Sequence, residues 1–377
     1  MDNKTNYEVW NKLYRFLLKD VKDFNSYILS FVSILIILLA GFVSYFVMSD
    51  SSFAWFSQTI RSNNNINVKV SLSGGSNSES AANFLMKKVG YSGLDVITHE
   101  ADSTLQIGNT SDITEYRYRG SDEVVTNNHV YFNCSDINNQ TSQTCELYRI
   151  IGVFPVDDGT GKIENRVKLI KSSYYTNDST ATSWERNNYF TWNESRINNW
   201  AEPATLNTEF NINYYSSINE EFEKLIGNSK FYMGGFESAL VTRDMLYKSE
   251  RKILESGGYL PYWTGKIALM YASDFGYGAS DLCDENVQLI DYGNSLCFEN
   301  NWLLLKGDYE WLLTRVSIHD FEAFYIEELG FMFSVAVSSH DLGGSFRVRP
   351  VFYLTADAMF NDIGDGSFDN PYQLMEK

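Results

Sequence analysis

The stretch ELYRIIGVFPVDDGTGKIENRVKLIKSSYY, residues 146–175, decides how the chain is read. Two apolar-rich runs, 146–156 and 165–175, flank the turn DDGTGK, and runs joined by a glycine-containing turn form a β-hairpin. A phosphate-loop reading of that turn fails on both sides. The pattern GxxxxGK[ST] needs glycine where Val156 stands and a hydroxyl residue where Ile163 stands.

Outward from the hairpin, the pattern is β-rich from about residue 110. Near its end lies GGSFRVRPVFYL, residues 343–354. Alternate residues of a strand share a face, so Arg347 and Arg349 point one way and Phe346 and Val348 the other. Either the pair forms an anion-binding edge, or the arginines meet the protein's own carboxylates. Pro350 has no N–H and suits an edge or a strand break.

The 377 residues include 25 Tyr, 25 Phe and 8 Trp, ample material for a core, with only 5 Pro. Asn-rich turns fit a loop-rich fold containing β-structure. Thirty basic residues against 48 acidic ones leave a formal charge of −18. Such a field repels nucleic acid and anionic polymers and favours cations or neutral ligands.

Cys134, Cys145, Cys283 and Cys297 form two locally spaced pairs. Cys134–Cys145 with Cys283–Cys297 is the simplest of the three possible pairings, provided the location is oxidising; four free thiols remain the alternative. The spacings are far from those of a zinc site, and no metal or cofactor is expected.

The location follows from YILSFVSILIILLAGFVSYFVM, residues 27–48, an uncharged apolar run. As a helix it extends about 33 Å, enough to cross a bilayer. Lys4, Lys12, Arg15, Lys19 and Lys22 precede it, and only Arg61 and Lys69 follow closely, which places the N-terminus in the cytoplasm. The expectation is a retained plasma-membrane anchor with the bulk of the chain outside. Cleavage near Ala54, after the small-residue stretch SSFA, is the alternative.

The expected organisation is a cytoplasmic segment 1–26, a transmembrane helix 27–48, a stalk of strands, linker and short helix 49–109, and one extracellular domain 110–377. That domain reads as α+β, mainly antiparallel with a few helices. Residues 81–90 form the short helix, with Gly90 past its end. Pro203 suits a first helical turn, and Leu206, Phe210 and Tyr214 recur every fourth residue. Ser217 and Glu220 read as a capping box for a helix presenting Ile218, Phe222, Leu225 and Ile226.

No HExxH or GxSxG pattern occurs. His319-Asp320 and His340-Asp341 read as loop residues. The turn containing Asp362, Asp365 and Asp369 misses the alternate spacing of a calcium loop. More suggestive are Trp184, Trp192 and Trp200, eight apart in an Asn-rich stretch, followed by Trp263, Trp302 and Trp311. Flat rings beside amides and carboxylates suit sugars, although the same rings could fill a core. Trp184, Trp192, Trp263, Trp311 and Arg347 are the candidate ligand-binding residues.

In order, CELYRIIGVF, RVKLIKSSYY, FTWNESRINNWAEPATLNTEF, WTGKIALMYASDFGYG, EWLLT, RVRPVFYL and GDGSFDNPYQL resemble a family of surface proteins from gut-dwelling low-GC Gram-positive bacteria. Its members join an N-terminal hydrophobic segment to an extracellular domain of unknown function. The likeness covers about 110–374. The arrangement is also loosely similar to C-type-lectin-like and sulfatase-modifying-factor-like domains, without those enzymes' iron-ligating histidines or catalytic cysteines. FAWFSQTIRSNNNINVKV separately resembles the first strands of camelysin-like, fibre-forming exported proteins. The resemblance implies that Arg349 and Pro350 are a structural pair in a framework strand, with Arg347 more exposed. The apolar anchor, the aromatic-rich loops and the lack of a catalytic pattern lead to the expectation of a non-enzymatic, membrane-anchored, lectin-like recognition protein for a glycan or surface-protein ligand. A fibre subunit released near Ala54 and a carboxylate-based hydrolase are the alternatives.

Overall fold

The computed structural model describes residues 79–375, apart from 91–92, 122–125, 178–188, 202–203, 254–259, 340–345 and 362. These belong to one unit, Ser76–Lys377. The apolar run 27–48, Trp184, Pro203, His340 and Asp362 lie outside the described residues. Among the described residues no helix is long and apolar enough to cross a membrane.

A helix, Ala81–Met86, leads to β1 (Leu94–His99), β2 (Ile113–Tyr118) and β3 (His129–Phe132), then to β4 (Glu146–Asp157) and β5 (Ile163–Lys171). The helical region contains Thr205–Thr208, a π-helical turn Glu209–Tyr214, a 3-10 turn Tyr215–Ser217 and Glu220–Glu223. Next come β6 (Ser229–Tyr232), β7 (Gly235–Phe236), the helix Arg243–Glu250, β8 (Tyr262–Gly265), β9 (Ile267–Ala268) and the helix Ala272–Gly278. The remaining strands are β10 (Tyr309–Val316), β11 (Glu322–Ile326), β12 (Met332–Ala336), β13 (Phe346–Arg347), β14 (Val351–Tyr353), β15 (Met359–Phe360) and β16 (Leu374–Met375).

The architecture is α+β with mostly antiparallel sheets. One sheet runs β1-β2-β4-β5-β14-β9, with β3 sharing the β2 side of β4. The other runs β12-β11-β10-β13, with β7 also on β10; β7 and β13 join in parallel. At the centre of the first sheet is the expected hairpin, paired from Tyr148↔Lys171 to Asp157↔Ile163. Burial on both faces explains its nearly unbroken apolar runs.

Two expectations shift. The stretch 79–109, read as stalk, is integral to the domain where described: β1 pairs with β2 over six residues, and Leu85 and Leu94 are core residues. The cap of Glu220–Glu223 is Asn219, whose side chain accepts from the Glu221 N–H, while Ser217 closes the preceding 3-10 turn. The apolar face read there is nevertheless buried, as are Leu206, Phe210 and Tyr214.

The helix Ala272–Gly278 packs against β2 of one sheet and β10 of the other, and all seven of its residues are buried. It carries Asp274 into a dry ionic network. Arg117 Nη1 donates to Asp274 Oδ1 at 2.9 Å, and Lys168 Nζ donates to Asp274 Oδ2 at 2.5 Å. Arg117 Nε also meets Glu115 Oε2 at 2.8 Å. A bulge in β4 at Ile150/Gly152 sets Gly152 opposite Lys168, the kind of irregularity that re-aims a neighbouring side chain.

At β9 the sheet is closed by a side chain. Asn211 Nδ2 donates to the Ile267 carbonyl at 2.8 Å, and the Ile267 N–H donates to Asn211 Oδ1 at 3.0 Å.

A Cβ at Gly152 would lie 2.0 Å from the Tyr116 carbonyl oxygen. Gly152→Ala is expected to lower unfolding free energy by at least ~1–3 kcal/mol in urea titrations. Burial pushes the Glu115 carboxyl up, but Arg117, His99 and Arg251 outweigh it and hold the group far below the usual carboxylate range. Its stabilising contribution is therefore present above the unfolded value of about 4 and lost as pH falls. The urea midpoint should drop below about pH 4, with a shallower drop in Glu115→Gln.

Candidate functional site

The paired arginines resolve differently from each other. Arg349 is buried, and its Nε and Nη2 grip Glu310 Oε1 and Oε2 at 2.7 and 2.8 Å. Nη2 also reaches the Leu303 carbonyl at 2.5 Å. Pro350 stands between β13 and β14, and its carbonyl accepts from the Lys171 N–H. Arg347 is only 6% exposed, contrary to the expectation of an outward cation. Its Nε meets Asp308 at 3.3 Å, and its guanidinium lies 4.1 Å from the Tyr189 ring centroid. The strand places it under aromatic cover, so it is not a free anion receptor.

Most described tryptophan candidates are core. Trp192 and Trp311 are 0% exposed, so neither ring face is available to a ligand. Their indole N–H groups donate to the Leu312 and Phe190 carbonyls, both at 2.9 Å. Trp263 is half-buried and packs against Phe231 and Trp200. Cys134 is bonded to Cys145, and Cys283 to Cys297. His319 faces Glu322 rather than its neighbour Asp320. Among the described residues no cluster of His, Cys, Asp or Glu could hold a metal ion.

An open cleft of about 960 Å³ lies where β5 ends. The chain leaves the sheet as Lys171-Ser172-Ser173-Tyr174-Tyr175, and the π-helical turn supplies the opposite wall with Glu209, Asn213 and Tyr214. Wide turns of this kind recur at functional sites.

Both carboxylates in the cleft are fixed. Glu146 accepts from Asn133 Nδ2 at 2.8 Å, from Tyr214 at 3.3 Å and from Lys171. Asn133 holds a left-handed backbone, φ 51°, while its Oδ1 accepts from the Asn219 N–H. Glu209 accepts from the Tyr175 hydroxyl at 2.8 Å and from Asn213 Nδ2 at 2.6 Å. The Tyr174 hydroxyl donates to the Leu305 carbonyl at 3.0 Å.

Burial raises the tyrosine hydroxyls well above their ordinary range. Glu310 adds to this at Tyr174, Glu209 at Tyr175 and Glu146 at Tyr214. They are neutral donors at any physiological pH. Tyr175 and Tyr214 are themselves buried, so the wall offers the half-buried Tyr174 ring together with amides and carboxylates, groups that suit a polyhydroxylated ligand.

A second cleft, about 530 Å³, lies across the same ridge, with Ser172, Leu305, His129 and the exposed Phe368 among its lining. The acidic turn reaches it through Asp369; Asp365 is occupied by the Ser367 N–H at 2.9 Å.

Glu146, Glu209 and Asn213 are absent from the sequence-based candidates. The available signals were the Tyr174-Tyr175 pair beyond an apolar strand and the four-residue spacing of Glu209 and Asn213, which makes them neighbours on a helix.

No family model, curated protein or solved structure matches the chain.

Removing Arg349 leaves Glu310 buried without its cation. Arg349→Met is expected to cost ~3–5 kcal/mol in denaturant titrations. Arg347→Met should cost on the order of 1 kcal/mol, because Asp308 is 32% exposed and water can solvate it.

Proposed function

We propose that the chain is a membrane-anchored surface protein whose domain recognises neutral glycans in the tyrosine- and carboxylate-lined cleft beyond β5. The observation that carries this reading is the held pair Glu146 and Glu209 lining a wide cleft beside the half-buried Tyr174. Sugar hydroxyls find amides and carboxylates already held in place, and a C–H face finds the Tyr174 ring. The formal charge of −18 disfavours sialylated or sulfated ligands. An exported location is supported by residues 27–48 and by two disulfides, which persist in oxidising compartments.

The cleft also keeps a hydrolase as second reading, since two carboxylates flanking a bond are the equipment for glycoside cleavage. One experiment addresses both. The full chain in detergent is applied to a glycan array, and bound ligands are then incubated with it and analysed for cleavage. Neutral oligosaccharides should be retained and recovered intact, and Tyr174→Ala or Asn213→Ala should weaken binding tenfold or more. Cleavage abolished by Glu146→Gln or Glu209→Gln would establish the hydrolase instead. Silence towards every neutral glycan, or preference for sialylated ones, would sink the recognition reading.

A further inference from the structure

Lys168 and Asp274 lie 106 residues apart in sequence, yet each is 0% exposed and their side chains meet at 2.5 Å. Lys168 sits in the central strand β5, flanked by Gly152 on β4 and Tyr353 on β14. Its Nζ is enclosed by the rings of Tyr271, Tyr353 and Phe154, with centroids at 4.6, 5.1 and 5.4 Å. Asp274 is held at both oxygens: Arg117 Nη1 donates to Oδ1 at 2.9 Å, and the Tyr271 N–H donates to Oδ2 at 3.0 Å. An amine and a carboxyl group are thus fixed against each other in an aromatic, water-poor chamber.

We propose that Lys168 and Asp274 are joined by a covalent amide, an intramolecular cross-link between β5 and the helix Ala272–Gly278. The reaction is a condensation and needs no oxidant or co-reactant. A proton passes along the existing hydrogen bond from Nζ to Oδ2, giving an amine and a carboxylic acid. Nζ then attacks Cγ, and the negative charge gathers on Oδ1, where the Arg117 guanidinium already stands. A proton from the nitrogen moves to the Oδ2 hydroxyl, the Cγ–Oδ2 bond breaks, and water departs. The C–N bond formed and the C–O bond lost balance the step.

Two features favour it. Holding the groups in contact replaces a bimolecular encounter by an intramolecular one. A dry site disfavours separated charges, so replacing an ammonium and a carboxylate by one neutral amide relieves their desolvation. Burial draws the Lys168 ammonium down towards the neutral amine, against the pull of Asp274. At Asp274 burial is outweighed by Lys168 and Arg117, which hold the carboxyl low, so the neutral pair is the minor form from which the attack starts. Beyond the Phe154 and Tyr353 rings lies a cavity of about 10 Å³, the size of a single water site, lined also by Glu115 and Arg251 but not by the pair itself.

The test is peptide mass analysis of the full chain, denatured, reduced and digested with trypsin. An amide-linked Lys168 resists cleavage, so the expected product is a branched peptide joining 167–171 to 267–306, lighter by one water than their sum. Free 167–168 together with unmodified 267–306 would overturn the proposal. Lys168→Arg retains the positive charge but lacks the amine, and should yield an unbranched 267–306. A water lost at Asp158-Gly159 or Asp365-Gly366, with residue 274 unbranched, would also overturn it, because Asp-Gly sequences dehydrate on their own. The outcome is independent of any glycan binding.

Discussion

The whole domain depends on how Asp274 of one small buried helix is held between the two sheets. Ala272–Gly278 touches both sheets, and no residue of it reaches solvent. Asp274 gathers a lysine from the central strand β5 and an arginine from β2, two strands away, and that arginine holds Glu115 in turn. Each of these groups is expensive to remove from water and tolerable only while the others stay in place. Arg251 and Glu250, at the end of another helix, extend the arrangement towards Thr314 in the second sheet. The sheets are therefore coupled by charge as well as by apolar packing, and the pairing geometry of β2, β5 and β10 is set together.

A similar economy holds around Arg349. Burial pushes the Glu310 carboxyl up, and the bidentate arginine opposes it. Glu310 lies in the short parallel junction of β10 with β13 and Arg349 two residues beyond it, where few backbone bonds are available to define register. A fork of two parallel hydrogen bonds supplies directionality that the ladder lacks there. The rigid frame then presents the cleft from well-anchored ground: one wall is the end of the central hairpin, and the other is a turn whose Asn211 is tied to β9. Side chains positioned by such elements would lose little freedom on meeting a ligand.

Local periodicity made the hairpin, the mostly antiparallel character and the apolar face of 218–226 legible in the sequence, because those features depend on neighbours within a few residues. The ambiguous points were all long-range. Alternation correctly put Arg347 and Arg349 on one side, but it could not reveal that this side lies under Tyr189 and beside Glu310. Tryptophan spacing gave no information on depth, and Trp192 and Trp311 lie in the core although they come from Asn-rich or loop-flanked stretches. The cleft was nearly invisible for the same reason. Glu146, Tyr174 and Glu209 come from three separate stretches, and none stands out until the chain has folded. Residues 79–109 were misjudged because a six-residue edge strand beside a glycine-rich linker carries little signal without its partner.

The amide of Asn211 has one more implication. A strand at the border of a sheet normally leaves donors and acceptors to which another chain can add. Here Ile267 spends both of its outward groups on a side chain that imitates a neighbouring strand. Polymerisation by strand donation at this border would first require the π-helical turn to withdraw. A filament built from this protein would have to join through some other surface, and a molecule crowded among copies of itself is protected there from unwanted stacking.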